Sequence, residues 1–144
     1  MANFREFNFK EYIYQALDEI NFKEPTEVQA RLIPTILKGK SVVGQSQTGS
    51  GKTHTFLLPI FQNLNAQKDE VQAVITTPSR ELAYQIYEAA KQLAKFSPED
   101  IWIQNYVGGT DKQRQIEKLK SHQPQLVIGT PGRILDLVRE NALD

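Results

Sequence analysis

Short apolar runs separated by segments of helical length are the feature that most constrains the fold of this chain. The runs lie at 41–44, 71–76, 101–107 and 125–129. Between them, apolar residues repeat at spacings of three and four, as in helices that bury one face. Strands joined by helices of this length form a parallel sheet with right-handed crossovers. We therefore expect an α/β domain with helices flanking a parallel sheet.

Helix signals divide the chain between these runs. Pro25 and Pro131 suit the starts of two helices, Gly39 suits the end of one, and Pro59 should bend another. The predicted helices cover 11–20, 26–37, a segment from about Lys52 onward, 79–96, 111–120 and 131–139.

The composition indicates one soluble globular domain. The chain has 144 residues, of which 40% are hydrophobic and 24% are charged. Lysine plus arginine equals aspartate plus glutamate, 17 each, which argues against a polycation that binds nucleic acid by charge alone. The absence of cysteine excludes disulfides and thiolate metal sites, and no segment has the pattern of a signal peptide or membrane span. We expect a cytoplasmic protein.

The segment between the first apolar run and the helix from Lys52 has the composition of a phosphate-binding loop. Its sequence is GQSQTGSGKT. Gly49 and Gly51 let successive backbone amides turn inward toward an anion at the start of a helix. The Lys52 ammonium would reach the β- and γ-phosphates, and the Thr53 hydroxyl would bind Mg²⁺. The usual glycine is replaced by Ser46, whose small side chain should preserve the loop. The alternative is a glycine-rich turn with a surface lysine.

Polar residues follow the other three apolar runs. These are PSR from Pro78 to Arg80, the pair Gly108 and Gly109, and TPGR from Thr130 to Arg133. Carboxyl ends of parallel strands meet at one edge of a sheet, where open α/β sheets bind their ligands. Amides, hydroxyls and arginines there could hold a sugar-phosphate backbone. Taken singly, each segment is also an ordinary turn or helix start.

Together these segments resemble the motifs of the DEAD-box RNA helicases, in particular the N-terminal RecA-like domain of bacterial members. The resemblance runs from Phe4 to about Leu137, and the ordered set of motifs is far more specific than any one of them. It implies that 1–144 is one RecA-like ATP-binding domain whose sheet is incomplete at the C-terminal end. A Q-motif region would span 4–29.

The resemblance also implies a nucleotide site. Phe4 would stack on adenine and Gln29 would bind the edge of the base, which would make the site selective for ATP. The family usually has glycine where this chain has Asn21. Lys52 and Thr53 would serve catalysis, and Thr53 would hold Mg²⁺. The remaining loop residues expected to contact ATP are Ser46, Gln47, Thr48, Gly49, Ser50 and Gly51.

RNA binding is the role that the resemblance assigns to the other strand ends. Ser79 replaces the usual threonine of one motif but keeps a hydroxyl. Contacts to the backbone imply little sequence specificity. Proteins of RNA processing or ribosome assembly are candidate partners, and no membrane is expected. The residues expected to contact RNA are Pro78, Ser79, Arg80, Gly108, Gly109, Thr130, Pro131, Gly132 and Arg133.

The DEAD tetrapeptide, the SAT motif and the second RecA-like domain of that family do not occur in this sequence. Hydrolysis needs an acid to hold Mg²⁺ and a residue to orient water. We therefore expect weak binding of ATP or ADP and almost no hydrolysis by this chain, and an ATP-dependent RNA helicase as the full-length protein. Asp136 follows apolar residues, but its helical spacing favours a solvated carboxylate over a metal ligand.

Two alternative functions stay open at this point. One is a different P-loop ATPase, such as a DNA helicase or motor, and the other is a nonenzymatic module that holds RNA or a protein partner. The helix at 111–120 mixes cations with Asp111 and Glu117, which favours a solvated face over an RNA patch. Trp102 and Tyr106 are expected to pack rather than to stack on bases.

Overall fold

The computed structural model describes residues 9–20, 52–68, 70–108, 111–140 and 142–143, and leaves aside the side chains of 52–56. The predicted helix at 26–37 and the predicted strand at 41–44 lie outside these residues. The described elements are α1 (Glu11–Glu19), α2 (Lys52–Asn63), β1 (Ala73–Thr76), α3 (Arg80–Ala94), β2 (Ile103–Tyr106), α4 (Lys112–Ser121), β3 (Leu126–Gly129) and α5 (Pro131–Arg139).

Contacts between residues divide the chain into two compact units. The first unit comprises 1–64 and 89–98, and the second comprises 65–88 and 99–144. Among the described elements, α1 and α2 belong to the first unit, whereas the sheet, α4 and α5 belong to the second. Helix α3 contributes residues to both. The assignment of 1–144 to a single domain stays a prediction.

The first unit is organised around the buried faces of α1 and α2. Ile13 and Leu17 of α1 are buried at the predicted helical spacing. The hydroxyl of Tyr12 donates a hydrogen bond to the carbonyl oxygen of Phe61 in α2, at 3.2 Å. Burial raises the pKa of Tyr12 to about 12. Tyr14 is also buried, which the sequence pattern did not indicate, and its hydroxyl accepts the backbone N–H of Phe9 at 2.8 Å.

A parallel sheet forms the centre of the second unit, as predicted. Its strand order among the described residues is β1-β3-β2, and both neighbouring pairs are parallel. All residues of β3 are buried, which explains why this central strand is a continuous apolar run. In β1 the burial alternates, and Val74 is 51% exposed.

The core of the second unit lies between the sheet and the helices α4 and α5. Its buried residues are Tyr106, Leu119, Val127, Ile134, Leu137 and Leu143. Burial raises the pKa of the Tyr106 hydroxyl above its usual range, and the prediction that Tyr106 packs is confirmed. Trp102 lies half-buried with its ring edge-on to His122, at 6.3 Å between ring centroids. Among the helices of the described residues, none has the length and apolar character needed to cross a membrane.

Candidate nucleic-acid interface

Most of the predicted nucleotide site falls outside the described residues. The backbone of Lys52 and Thr53 is described and lies in α2, so the predicted helix from this segment onward is present. A phosphate-binding loop requires a helix directly after it. The remaining contacts to ATP and Mg²⁺ stay predictions. The predicted site residues that lie outside the described residues are Phe4, Gln29, Ser46, Gln47, Thr48, Gly49, Ser50, Gly51 and Gly109.

The predicted RNA-binding segments come together at one edge of the sheet. In the parallel register, Thr76 of β1 lies beside Gly129 of β3, and Gly129 lies beside Tyr106 of β2. The three strands therefore end level with each other. The segments at 78–80, 108 and 130–133 follow these ends directly. The structure thus brings together residues that are far apart in the sequence.

Ser79 caps the helix that follows β1. Its Oγ accepts the backbone N–H of Leu82 at 3.1 Å, and its carbonyl oxygen accepts the N–H of Ala83 at 3.0 Å. Serine is among the preferred residues at this position because its oxygen satisfies an amide that the helix leaves unpaired. The cap uses the hydroxyl oxygen as an acceptor only, so its O–H can still donate to a phosphate. Capping and phosphate binding are therefore compatible roles for this exposed residue.

Arg80 connects the turn after β1 to the turn after β2. Its exposed side chain donates from Nη1 to the carbonyl oxygen of Gly108 at 2.7 Å. A guanidinium has five N–H donors, so this single bond leaves it able to bind a phosphate as well. A Cβ atom at Gly108 would meet nothing within 4 Å, so there is open space beside this residue. The arginine and the glycine that were predicted to share a ligand are thus in direct contact.

Gly129 sits where β2 and β3 approach each other at this edge. A Cβ atom here would overlap the carbonyl oxygen of Tyr106 and lie 2.9 Å from its carbonyl carbon. The next residue, Thr130, donates its N–H to the same oxygen at 3.0 Å. Only glycine fits such a backbone contact. Sequence reasoning missed this residue, although a glycine ending an apolar strand was a usable signal.

The TPGR segment forms the uncapped first turn of α5. Thr130 occupies the cap position without a side-chain hydrogen bond to the helix, and Pro131 follows it. Gly132 is exposed, and a Cβ atom there would meet nothing within 4 Å. The first amides of a helix have no partner within the helix, and they favour anions. An anion can therefore reach this helix end without displacing a cap.

Arg133 is held by a residue that sequence reasoning did not single out. Its Nη1 donates to Oε1 of Gln115 in α4 at 2.9 Å, and both side chains are half-buried. This bond joins the first turn of α5 to α4. A glutamine in a polar helix gives no sequence signal for such a contact.

The polar helix α4 has the mixed-charge face that was predicted. Lys120 pairs with Glu117 at 3.0 Å, and Lys112 pairs with Glu140 at 3.0 Å. Asp111 caps the helix by accepting the N–H of Arg114 at 3.2 Å. Asp136 is exposed on α5, as expected for a solvated carboxylate. In the part of the chain that the structure describes, no group of three or more histidine or acidic residues could hold a metal ion.

Comparison with known proteins places these features in a family. The DEAD/DEAH box helicase family model matches residues 26–144. The chain is 60% identical over 142 residues to the DEAD-box ATP-dependent RNA helicase CshB of Listeria monocytogenes, and 51% identical over 143 residues to CshB of Bacillus subtilis. In both cases 99% of this chain matches 32% of the relative. The chain therefore spans about a third of the length of these curated relatives.

Solved structures give the same result. A DEAD box protein from the hyperthermophile Methanococcus jannaschii superposes with a TM-score of 0.87 at 34% identity, over 100% of this chain and 39% of that protein. Saccharomyces cerevisiae Dbp5 bound to RNA and ADP BeF3 superposes with a TM-score of 0.85 at 31% identity, over 100% of this chain and 36% of that protein. The fold is that of a RecA-like helicase domain, and the chain belongs to the DEAD/DEAH box helicase family.

Proposed function

We propose that this chain is the ATP-binding half of a DEAD-box RNA helicase, which remodels RNA duplexes locally at the expense of ATP. The observation that carries the proposal is the contact between Arg80 and Gly108. It unites two predicted RNA-binding segments at the edge where TPGR also lies. The relatives named above are ATP-dependent RNA helicases, and the yeast neighbour was solved with RNA and ADP BeF3.

The chemistry of this edge suits a phosphate backbone. The groups assembled there are hydrogen-bond donors: the hydroxyl of Ser79, the guanidinium groups of Arg80 and Arg133, and the amide of Gly132. No carboxylate occurs within the segments 78–80, 108 and 130–133. Donors and cations bind phosphate oxygens without distinguishing bases. We therefore propose that the RNA strand is held by its backbone with little sequence specificity.

The nucleotide would lie at the start of α2. Lys52 would hold the β- and γ-phosphates, the Thr53 hydroxyl would help to bind Mg²⁺, and loop amides from Ser46 onward would surround the triphosphate. When bound, Mg²⁺ would neutralise charge on the phosphates. Phe4 and Gln29 would select adenine. The helical backbone of Lys52 and Thr53 in α2 supports this part of the proposal. We also propose that the protein acts in the cytoplasm.

Turnover by this chain alone should be negligible. The sequence lacks the acidic tetrapeptide that would complete the Mg²⁺ site, and it lacks the second domain that would close over the nucleotide. We therefore propose weak binding of ATP or ADP, and hydrolysis only by a longer protein that contains those parts. Partners from RNA processing or ribosome assembly belong to that longer protein.

Binding of a fluorescent single-stranded RNA, followed by anisotropy, tests whether the edge of the sheet formed by 78–80, 108 and 130–133 binds RNA. We call this surface the RNA edge. Arg80→Ala should weaken binding several-fold, to a similar extent for oligonucleotides of different sequence. The slope of the logarithm of the affinity against the logarithm of the salt concentration should become shallower by about 0.7. Arg139→Ala is the matched control, because Arg139 is an exposed arginine in the last turn of α5. Equal affinity for Arg80→Ala and the unaltered chain would exclude this edge as the RNA site.

Calorimetry with ATP and GTP tests the nucleotide site separately. The chain should bind ATP but not GTP, and Lys52→Ala should abolish binding because the phosphates lose their cation. Equal binding of ATP and GTP would favour a different P-loop ATPase. Unchanged binding by Lys52→Ala would contradict the role of the loop.

A further inference from the structure

The bond between Arg133 and Gln115 is a feature of the RNA edge that the motifs do not account for. It links a predicted phosphate-binding arginine to a helix that contributes nothing else to the proposed site. Its length of 2.9 Å lies in the usual range for a hydrogen bond from nitrogen to oxygen, and both side chains are half-buried.

Each of the two residues stands beside a residue of the core along its helix. Gln115 directly precedes Ile116, and Arg133 directly precedes Ile134; both isoleucines pack in the core of the second unit. The backbone N–H of Gln115 donates to the carbonyl oxygen of Asp111, the residue that caps α4. The backbone positions of both partners are therefore set by the fold, and the bond between their side chains holds the guanidinium. An arginine held in this way loses less side-chain freedom when it binds a phosphate.

The chemical nature of Gln115 matters as much as its position. An amide oxygen accepts a hydrogen bond from the guanidinium but carries no charge, so this bond does not neutralise Arg133. A carboxylate at the same place would bind the guanidinium more strongly and would compete with phosphate for it. A neutral acceptor is therefore suited to orienting a cation that must bind an anion.

We propose that Gln115 is a positioning residue for RNA binding: its amide oxygen orients the Arg133 guanidinium toward an RNA phosphate without neutralising it. This inference rests on the proposed function, because it assumes that Arg133 binds RNA. It assigns to α4 a part in RNA binding through Gln115 alone, while the charged face of α4 stays a solvated surface.

RNA affinity of variants of the 144-residue chain tests the inference. Gln115→Leu removes the acceptor and should weaken binding of a single-stranded RNA about three- to tenfold, the range expected when a long side chain is no longer held in place. Gln115→Glu keeps an acceptor at the same place, so stability to urea should be maintained. It should nevertheless weaken RNA binding and reduce its salt dependence, because the carboxylate occupies Arg133.

Gln113→Leu and Gln113→Glu are the matched controls, because Gln113 is an exposed glutamine on the same helix. Both should bind RNA as the unaltered chain does. If Gln115 served only the stability of the fold, Gln115→Glu would bind RNA normally. That result, or normal binding by Gln115→Leu, would overturn the inference.

The variant Arg133→Ala separates the inference from the function on which it rests. It should bind RNA as weakly as Gln115→Leu or more weakly, and the double variant should be no weaker than Arg133→Ala alone. Normal binding by Arg133→Ala would contradict the proposed role of Arg133, and the inference with it. Weak binding by Arg133→Ala with normal binding by both Gln115 variants would overturn the inference alone. If the unaltered chain bound no RNA, the proposed RNA function would fail first.

Discussion

Replacing Gly129 by alanine should destabilise the second unit more than any comparable change at the edge of the sheet. The added Cβ would overlap the carbonyl oxygen of Tyr106 and would lie 2.9 Å and 3.1 Å from the carbonyl carbon and the nitrogen of the same residue. All three are backbone atoms of Tyr106 in β2, the strand paired with β3, so no side-chain rotation can relieve the overlap. The strands must move apart at this point.

The cost follows from two effects. Overpacking of a tightly packed interior typically costs about 1–3 kcal/mol. Separation of the strands also weakens the 3.0 Å hydrogen bond from Thr130 to Tyr106, which contributes about 0.5–1.5 kcal/mol. The lower entropy of the unfolded alanine chain offsets about 0.4–1 kcal/mol. We expect a net loss of about 0.5–4 kcal/mol in the free energy of unfolding, compared with a total of about 5–15 kcal/mol for a typical domain.

Urea unfolding followed by tryptophan fluorescence measures this loss in the relevant unit. Trp102 is the single tryptophan of the chain and belongs to the second unit. Gly132→Ala is the matched control, since its Cβ would meet nothing within 4 Å and alanine favours a helix over glycine by up to about 1 kcal/mol. The control should be as stable as the unaltered chain or slightly more stable. An unchanged urea midpoint for Gly129→Ala would refute the close approach of β2 and β3.

Two further predictions concern Tyr12 and Ser79. Burial raises the pKa of Tyr12 to about 12, from an ordinary value near 10. Above pH 10 the unfolded chain loses this proton while the folded chain keeps it, so stability should fall between pH 10 and 12, by up to about 2.7 kcal/mol. Tyr12→Phe should lack this contribution. Its deficit at pH 7, about 1 kcal/mol from the lost bond to Phe61, should therefore shrink as the pH rises, as measured by urea unfolding followed by circular dichroism. A deficit that stayed constant up to pH 12 would contradict the burial of the hydroxyl. Ser79→Ala should lose about 1 kcal/mol with its helix cap and should also bind RNA more weakly, whereas Ser79→Thr should retain both properties. Normal RNA binding by a destabilised Ser79→Ala variant would restrict Ser79 to capping.

Local patterns in the sequence were sufficient to predict the described elements. The helical spacing of apolar residues placed α1, and Pro131 to Arg139 were predicted as a helix with the bounds that α5 has. The predictions were wrong by one or two residues at the ends of some helices and strands. The helix predicted from Ser79 begins at Arg80 because Ser79 caps it from outside, and the strand predicted from Val71 begins at Ala73.

Contacts across the sheet could not be predicted in the same way. The strand order β1-β3-β2 is a property of the folded chain, and it decides which turns become neighbours. The bond from Arg80 to Gly108, the bond from Arg133 to Gln115 and the requirement for glycine at 129 all depend on that order. The sequence motifs predicted which segments form the candidate site, whereas the structure shows which atoms of these segments are in contact.

The central claim is that the edge of the sheet at the carboxyl ends of its strands binds the RNA backbone. Two-dimensional NMR of the chain titrated with single-stranded RNA tests this claim most directly. The amide signals of Gly108, Thr130, Gly132 and Arg133 should shift together and saturate at the same RNA concentration, and those of α1 should stay in place. Shifts confined to α1 and α2, or an edge whose signals do not move at saturating RNA, would contradict the account.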